Sequence, residues 1–140
     1  MIKRLSTEES LALLSASRLA RLGCNAGDYP YVVPVNYVYD DGAIIVHSLP
    51  GKKIEAMRAD PRVCVQVDRI TDHLGWASVI AYGRYQEITD AQARERALAR
   101  LFAAFPALTP VESVAARGAA QPPPVVFHVL IDMVTGVREG

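Results

Sequence analysis

Apolar positions along the chain fall mostly into short runs of period two, broken by turn residues, with helical spacing in between. The strictest alternation is Arg62 to Arg69, RVCVQVDR, which puts Val63, Val65 and Val67 on one side and predicts a half-buried strand. Tyr31 to Tyr39 is dense in β-branched and aromatic residues: Val32, Val33, Val35, Tyr37, Val38 and Tyr39. Asp41-Gly42 supplies the positive φ of a two-residue type I′ turn, and Ala43-Ile44-Ile45-Val46 returns as the partner strand. Arg18 to Cys24, Trp76 to Ile88 and Val125 to Met133 bring the number of predicted strands to six. Gly83, inside a strand, marks a bulge or sharp bend of the kind that lets a small sheet curl. Thr135-Gly136 reads as the turn that ends the last strand.

Helical segments carry their own punctuation. Ser6 with Glu9 forms a capping box, and the helix then runs through Leu11 and Leu14 to Ser15-Ala16-Ser17. A short helix over Ile54 to Ala59 stops at Asp60-Pro61, because the residue before a proline is pushed out of the helical region. Thr89-Asp90 caps a third helix, Ala91 to about Phe105, with Leu98, Leu101, Phe102 and Phe105 as its apolar stripe and Arg94, Arg96 and Arg100 mostly outward. Pro106 to Pro124, rich in Ala and Pro, reads as a loop with a helical turn around Val111–Ala116. Strands in hairpins with two or three helices predict an α+β fold, a small six-stranded antiparallel barrel, and disfavour a doubly wound sheet.

The 140 residues are one domain's worth, so residues 1–140 are taken as a single unit with enough length to bury a core. Formal net charge is zero, and no basic stripe gives nucleic acid an electrostatic footprint. Apolar runs are far shorter than a membrane span, and MIKRLSTEES carries no apolar signal region, so a soluble cytoplasmic protein is expected. Cys24 and Cys64, each in an apolar strand-like run, read as small hydrophobes.

The chemistry concentrates after Pro34. A proline inside a strand removes a ladder donor and argues for an edge or an opened strand, while Asn36 is an amide among apolar neighbours. The return strand ends in His47-Ser48, Leu49-Pro50-Gly51 breaks it, and Lys52-Lys53 open a helix. An opened strand facing His, Ser and two lysines suits a planar heteroaromatic ring with a phosphate tail. The alternative is a barrel edge beside a solvated first helical turn. Gly51-Lys52-Lys53 is not a phosphate loop: Val46 stands where the first glycine should, and Lys53 where Ser or Thr should. His47, His73 and His128 lack metal-ligand spacing, so no metal is expected. With no nucleophile–base pair, any catalysis is expected to use a cofactor's chemistry.

The run PYVVPVNYVYDDGAIIVHSLPGKKIEAMRADPRVCVQVD, with Trp76-Ala77-Ser78-Val79 and Gly83 after it, resembles the FMN-binding split-barrel superfamily, the pyridoxamine 5′-phosphate oxidase-like proteins. Within it the chain looks most like the nitroimidazole-resistance (Nim-type) branch. The pieces are Pro34-Val35-Asn36, His47-Ser48 ahead of Gly51 and Lys53, and Asp60-Pro61-Arg62-Val63. The resemblance implies a homodimeric split barrel with FMN in the subunit interface, acting as an oxidoreductase on a small-molecule substrate. Val33, Pro34, Val35, Asn36 and Tyr37 would lie along the ring. Val46, His47 and Ser48 would flank the ribityl chain and phosphate, which Lys52 and Lys53 would hold. Trp76 and Ser78 would come from the partner subunit. His47 is the candidate proton donor, with a structural hydrogen bond as its alternative role. Authentic pyridoxamine phosphate oxidases carry further arginines and a C-terminal signature not matched here, so vitamin-B6 oxidation is not expected. A non-catalytic flavin store or sensor is the reading from another functional class.

Overall fold

A computed structural model describes residues 1–106 and 123–140. In chain order the elements are β1 (Ile2–Arg4), α1 (Thr7–Ala16), β2 (Leu19–Ala26), β3 (Tyr29–Asn36), β4 (Val38–Asp40), β5 (Ala43–Ser48), α2 (Lys52–Ala59), β6 (Arg62–Asp72), β7 (Gly75–Glu87), α3 (Ala91–Ala104) and β8 (Val125–Glu139). The fold is α+β with three helices among the described residues. The strands form one antiparallel sheet in the order β3-β2-β6-β7-β8-β5-β4, with β1 added on β8. The two ends of that path, β3 and β4, are separated in the chain by Tyr37 alone. The sheet therefore curls until its ends meet at one corner and leaves a seam there, as in a split barrel.

The inward face is a continuous apolar core. Leu22 of β2, Val65 and Val67 of β6, Val79 of β7, Ile44 and Val46 of β5, and Phe127 and Val129 of β8 are all buried in it. α1 adds Leu13 and Leu14, and α2 adds Ile54 and Met57. Tyr37, fully buried, donates its O–H to the Leu14 carbonyl at 2.5 Å and so ties the seam to α1. Burial pushes its phenol up to about 12. α3 covers the outside of β4, β5 and β8 with a second apolar layer of Val38, Ile45, Ala97, Leu101 and Val126. No helix among the described residues is long and apolar enough to cross a membrane.

Several local expectations match. Ser6 and Glu9 exchange both hydrogen bonds of a capping box, at 3.0 and 2.9 Å. Asp41 and Gly42 have φ of 41° and 85°, as a type I′ turn requires. Gly83 sits at a register shift against β8, where a Cβ would lie 2.2 Å from the Leu130 carbonyl oxygen.

Other expectations are corrected. The sheet has eight strands, not six. β1 is an exposed three-residue strand with no alternation to read, and the single strand expected over Tyr31–Tyr39 is broken at Tyr37 into β3 and β4. Thr135-Gly136 is not a turn; both residues pair with β7 inside β8, opposite Ile80 and Val79. Asp132 is the cause. Tyr82 faces Met133 and Gly83 faces Ile131, so Asp132 is an extra residue on β8. Inward positions therefore change from Phe127, Val129 and Ile131 to Val134 and Gly136, so the alternation changes phase at Asp132 without ending. Gly136 is there for close approach: a Cβ would lie 2.4 Å from the Ser10 hydroxyl of α1. The short helix runs Lys52–Ala59, opened by the two lysines as expected and two residues longer than the Ile54–Ala59 span. The helical turn expected around Val111–Ala116 lies outside the described residues.

Candidate functional site

The seam opens into a cleft of about 460 Å³, within the span of roughly 300–1,000 Å³ usual for small-ligand sites. One wall is the end of β3, where Pro34 and Asn36 face outward and Val35 inward. The opposite wall is the end of β5, His47 and Ser48, continued by Leu49, Pro50 and Gly51. Lys53, half-buried in the first turn of α2, supplies the cleft's lysine. Leu101 and Phe105, from the end of α3, close it with apolar surface.

Local sequence explains this arrangement. β3 is an edge strand that pairs only with β2 among the described residues, so Pro34, opposite Arg21, costs no central ladder bond. Pro50 and Gly51 end β5, and Gly51 is the N-cap of α2 without a side-chain cap bond. The first amides of α2 thus lie beside Lys53 at the positive end of a helix, a setting suited to an anion. Ser48 Oγ donates to the Leu49 carbonyl at 2.9 Å. The His47 ring meets Phe102 of α3 edge-on, with centroids 6.1 Å apart.

Of the residues expected at a cofactor, Pro34, Val35, Asn36, His47, Ser48 and Lys53 are brought together around this one cleft. Val33 and Val46 belong to the strands that form it but pack against or within the core, and Tyr37 is wholly in the core. Lys52 turns away, its ammonium 4.9 Å above the Tyr31 ring. Trp76 and Ser78 line a different depression with Gln66, Asp68, Ile70 and His73. His47 pairs with Val126 and Trp76 with Glu139, at opposite ends of β8, so one chain cannot bring them to the same ligand. Ser78 accepts a hydrogen bond from Gln66 at 3.0 Å, and Gln66 also donates to Asp68, which Arg21 holds at 3.2 Å.

Sequence reasoning missed Leu101 and Phe105 as cleft residues. The signal was present in the α3 stripe, which carries apolar residues to the very end of the helix. A second cluster also went unread. Glu87 accepts from the Tyr85 hydroxyl at 2.7 Å and is paired with Arg58, and these partners hold its carboxyl below the ordinary range. Asp60 is held lower still by hydrogen bonds from Arg62, with Asn25 adding another.

The cleft can therefore hold a flat, partly apolar group along β3 and an anionic tail at the start of α2. Comparison with known proteins bears on what that group is. The family model described as pyridoxamine 5′-phosphate oxidase matches residues 6–136. A curated relative, uncharacterized protein RA0666 of Rhizobium meliloti, is 37% identical over 91 residues, 65% of this chain. The match spans 60% of that relative's own length. The crystal structure of a FAD-binding protein from Mesorhizobium loti is 38% identical with a TM-score of 0.84, covering 100% of this chain and 99% of that one. A candidate 5-nitroimidazole antibiotic resistance protein from Bacteroides thetaiotaomicron shares the fold, with a TM-score of 0.74 at 19% identity over 99% of this chain and 89% of that one. The matched residues run from the start of α1 almost to the end of β8, and the chain belongs to the pyridoxamine 5′-phosphate oxidase-like split-barrel family.

Proposed function

We propose that the chain is a flavin-dependent oxidoreductase of the nitroimidazole-resistance type, with FMN in the seam cleft and a homodimer as its working form. The observation that carries this reading is the cleft itself: an edge strand for a ring, Lys53 at an uncapped helix start for a phosphate, and a fitting volume. The Mesorhizobium relative, described as FAD-binding, supports a flavin. The Bacteroides structure supports the fold only, so the choice of branch rests on the sequence motifs.

In this reading Pro34, Val35 and Asn36 lie along the ring, and Leu101 and Phe105 exclude water from it. Ser48, Lys53 and the α2 amides hold the phosphate. When bound, the flavin supplies the transfer of an electron pair to or from a small organic substrate. His47 stands in the cleft wall, where its imidazole holds a proton for the atom of the substrate that gains electrons.

The outer face of the sheet supports the homodimer. Strand register puts Val32, Pro34 and Asn36 on the same face as Ile70, Ser78, Trp76, Tyr82 and Met133. Val32 and Ile70 are 66% and 67% exposed there, on either side of the polar Arg21, Gln66 and Asp68, and a second copy would cover both. That copy would bring its own Trp76 and Ser78 toward the cleft.

The test is an absorbance spectrum of the purified protein, before and after addition of FMN. Flavin bands near one per chain are expected. A protein that stays colourless and takes up no FMN removes the oxidoreductase reading and leaves the fold. Flavin that binds and is never re-oxidised by a nitro compound moves the protein to the store or sensor class.

A further inference from the structure

α3 stands between two hollows. On one side Leu101 and Phe105 close the seam cleft. Along the other side, over β4, β5 and β8, lies a second hollow of about 590 Å³, the scale of a small-ligand site. No residue lines both. Ala93, Ala97 and Ala103 face the second hollow, and with no side chain beyond Cβ they leave the space between helix and sheet unfilled.

The floor of this hollow is apolar. Ile45 and Ala97 are buried there, and Ile88 packs against the same layer. His128 adds one polar group. In the strand register it lies between Ile45 of β5 and Gln86 of β7, with Nε2 2.7 Å from the Gln86 Oε1. Burial lowers its pKa, so the ring is uncharged at neutral pH.

The rim carries the charge. Arg96 and Arg100 stand four residues apart on α3 and so share a face of the helix. Asp40 is the one carboxylate among the lining residues. Arg100 is committed to it: Nη1 lies 3.1 Å from Asp40 Oδ1, and Nη2 donates to the Tyr39 carbonyl at 3.5 Å. Arg96 pairs with no carboxylate among the described residues. Two guanidinium charges against one carboxylate leave one positive charge above an apolar floor. A neutral apolar molecule would leave that charge unused, and a dianion would exceed it.

We propose that this hollow is a second ligand site, independent of the seam cleft, and that it takes a small monocarboxylic acid with an apolar body. The carboxylate accepts two parallel hydrogen bonds from the Arg96 guanidinium, whose planar fork matches its two oxygens. The apolar body lies on Ile45, Ile88 and Ala97. Arg100, held by Asp40, adds positive potential without surrendering its own partner.

The experiment follows the backbone amides of the full chain by NMR during titration with phenylbutyrate and, separately, with its neutral counterpart phenylbutanol. Saturable shifts are expected for the acid at Ile45, Ala97 and His128, with the alcohol binding at least about tenfold more weakly. Arg96→Gln, at an exposed position with no ion pair to lose, should weaken the acid about tenfold and leave the alcohol within about twofold. Equal affinity for acid and alcohol overturns the proposal, as does a variant that binds the acid as tightly as the wild type. Shifts centred on Asn36 and Lys53 place the acid in the seam cleft and overturn it too, and so does the absence of any saturable shift. The wild-type comparison of acid with alcohol needs no variant, so a misfolded Arg96→Gln chain does not rescue the proposal.

Discussion

Replacing Lys53 by alanine tests the placement of the phosphate directly. Lys53 is half-buried in the cleft wall, and no carboxylate among the described residues pairs with it. Its ammonium is therefore available to an anionic ligand. A hydrogen bond assisted by charge contributes about 1.5–3 kcal/mol net. Because the cleft is open to water, the lower end of that range applies, and about 1.4 kcal/mol is a factor of ten in affinity. Lys53→Ala should therefore raise the Kd for FMN about tenfold or more, read by quenching of flavin fluorescence.

Two controls separate the phosphate from the ring. Riboflavin lacks the phosphate, so its affinity should not respond to Lys53→Ala. Lys52→Ala removes a contact with the Tyr31 ring at 4.9 Å, worth only about 0.5–1 kcal/mol at an exposed site, and should leave FMN binding nearly unchanged. FMN affinity unmoved by Lys53→Ala, or riboflavin affinity falling equally, would refute the placement.

Other expected outcomes concern the fold and the assembly. Gly83→Ala sets a Cβ 2.2 Å from the Leu130 carbonyl oxygen, and should cost about 3 kcal/mol; an unchanged Tm rules this out. The raised pKa of Tyr37, about 12, means that its contribution is intact below the unfolded value near 10 and is lost as pH rises through the folded one. Tyr37→Phe should lower neutral-pH stability by about 1 kcal/mol while flattening the alkaline limb of urea midpoints, and a limb as steep as before contradicts it. Asp60 and Glu87 have depressed pKa values, so their contributions are present above about pH 4 and are lost as pH falls through the folded values. Asp60→Asn should make the acid limb shallower between about pH 4 and 2. Ile70→Lys, on the exposed outer face, should convert a sedimenting dimer to monomer and loosen flavin. A variant that remains dimeric with full flavin counts against the proposed interface.

Much of the fold was legible because most strands bury one face. Val63, Val65 and Val67 alternate without interruption, and Asp41-Gly42 names its own turn type. Illegibility begins where tertiary geometry changes the phase of a pattern. Tyr37 continues the alternation of β3, yet it is the break between two strands that end opposite sides of the sheet. Asp132, outward and held by Arg84 at 3.2 Å, hides the continuation of β8. The β3–β5–α2 wall of the cleft was readable since it comes from one contiguous run. Leu101 and Phe105 arrive from a helix far along the chain, and no local pattern announces which surface they will meet. Trp76 and Ser78 lie beyond the reach of the cleft within one chain, so any part they play there would require the proposed second copy.

The seam has a consequence for the protein's fate in the cell. Its β3 margin is an edge strand with exposed Tyr29 and Val32 beside it, the kind of margin on which other chains can add strands. Pro34 guards part of that margin by deleting a donor. A flavin lying along the strand would be the remaining guard, and ligand at one hundred times its Kd stabilises the folded state by about 2.7 kcal/mol. On the proposed flavin reading, cofactor supply would govern abundance: chains made during flavin shortage would be the ones most exposed to aggregation or proteolysis.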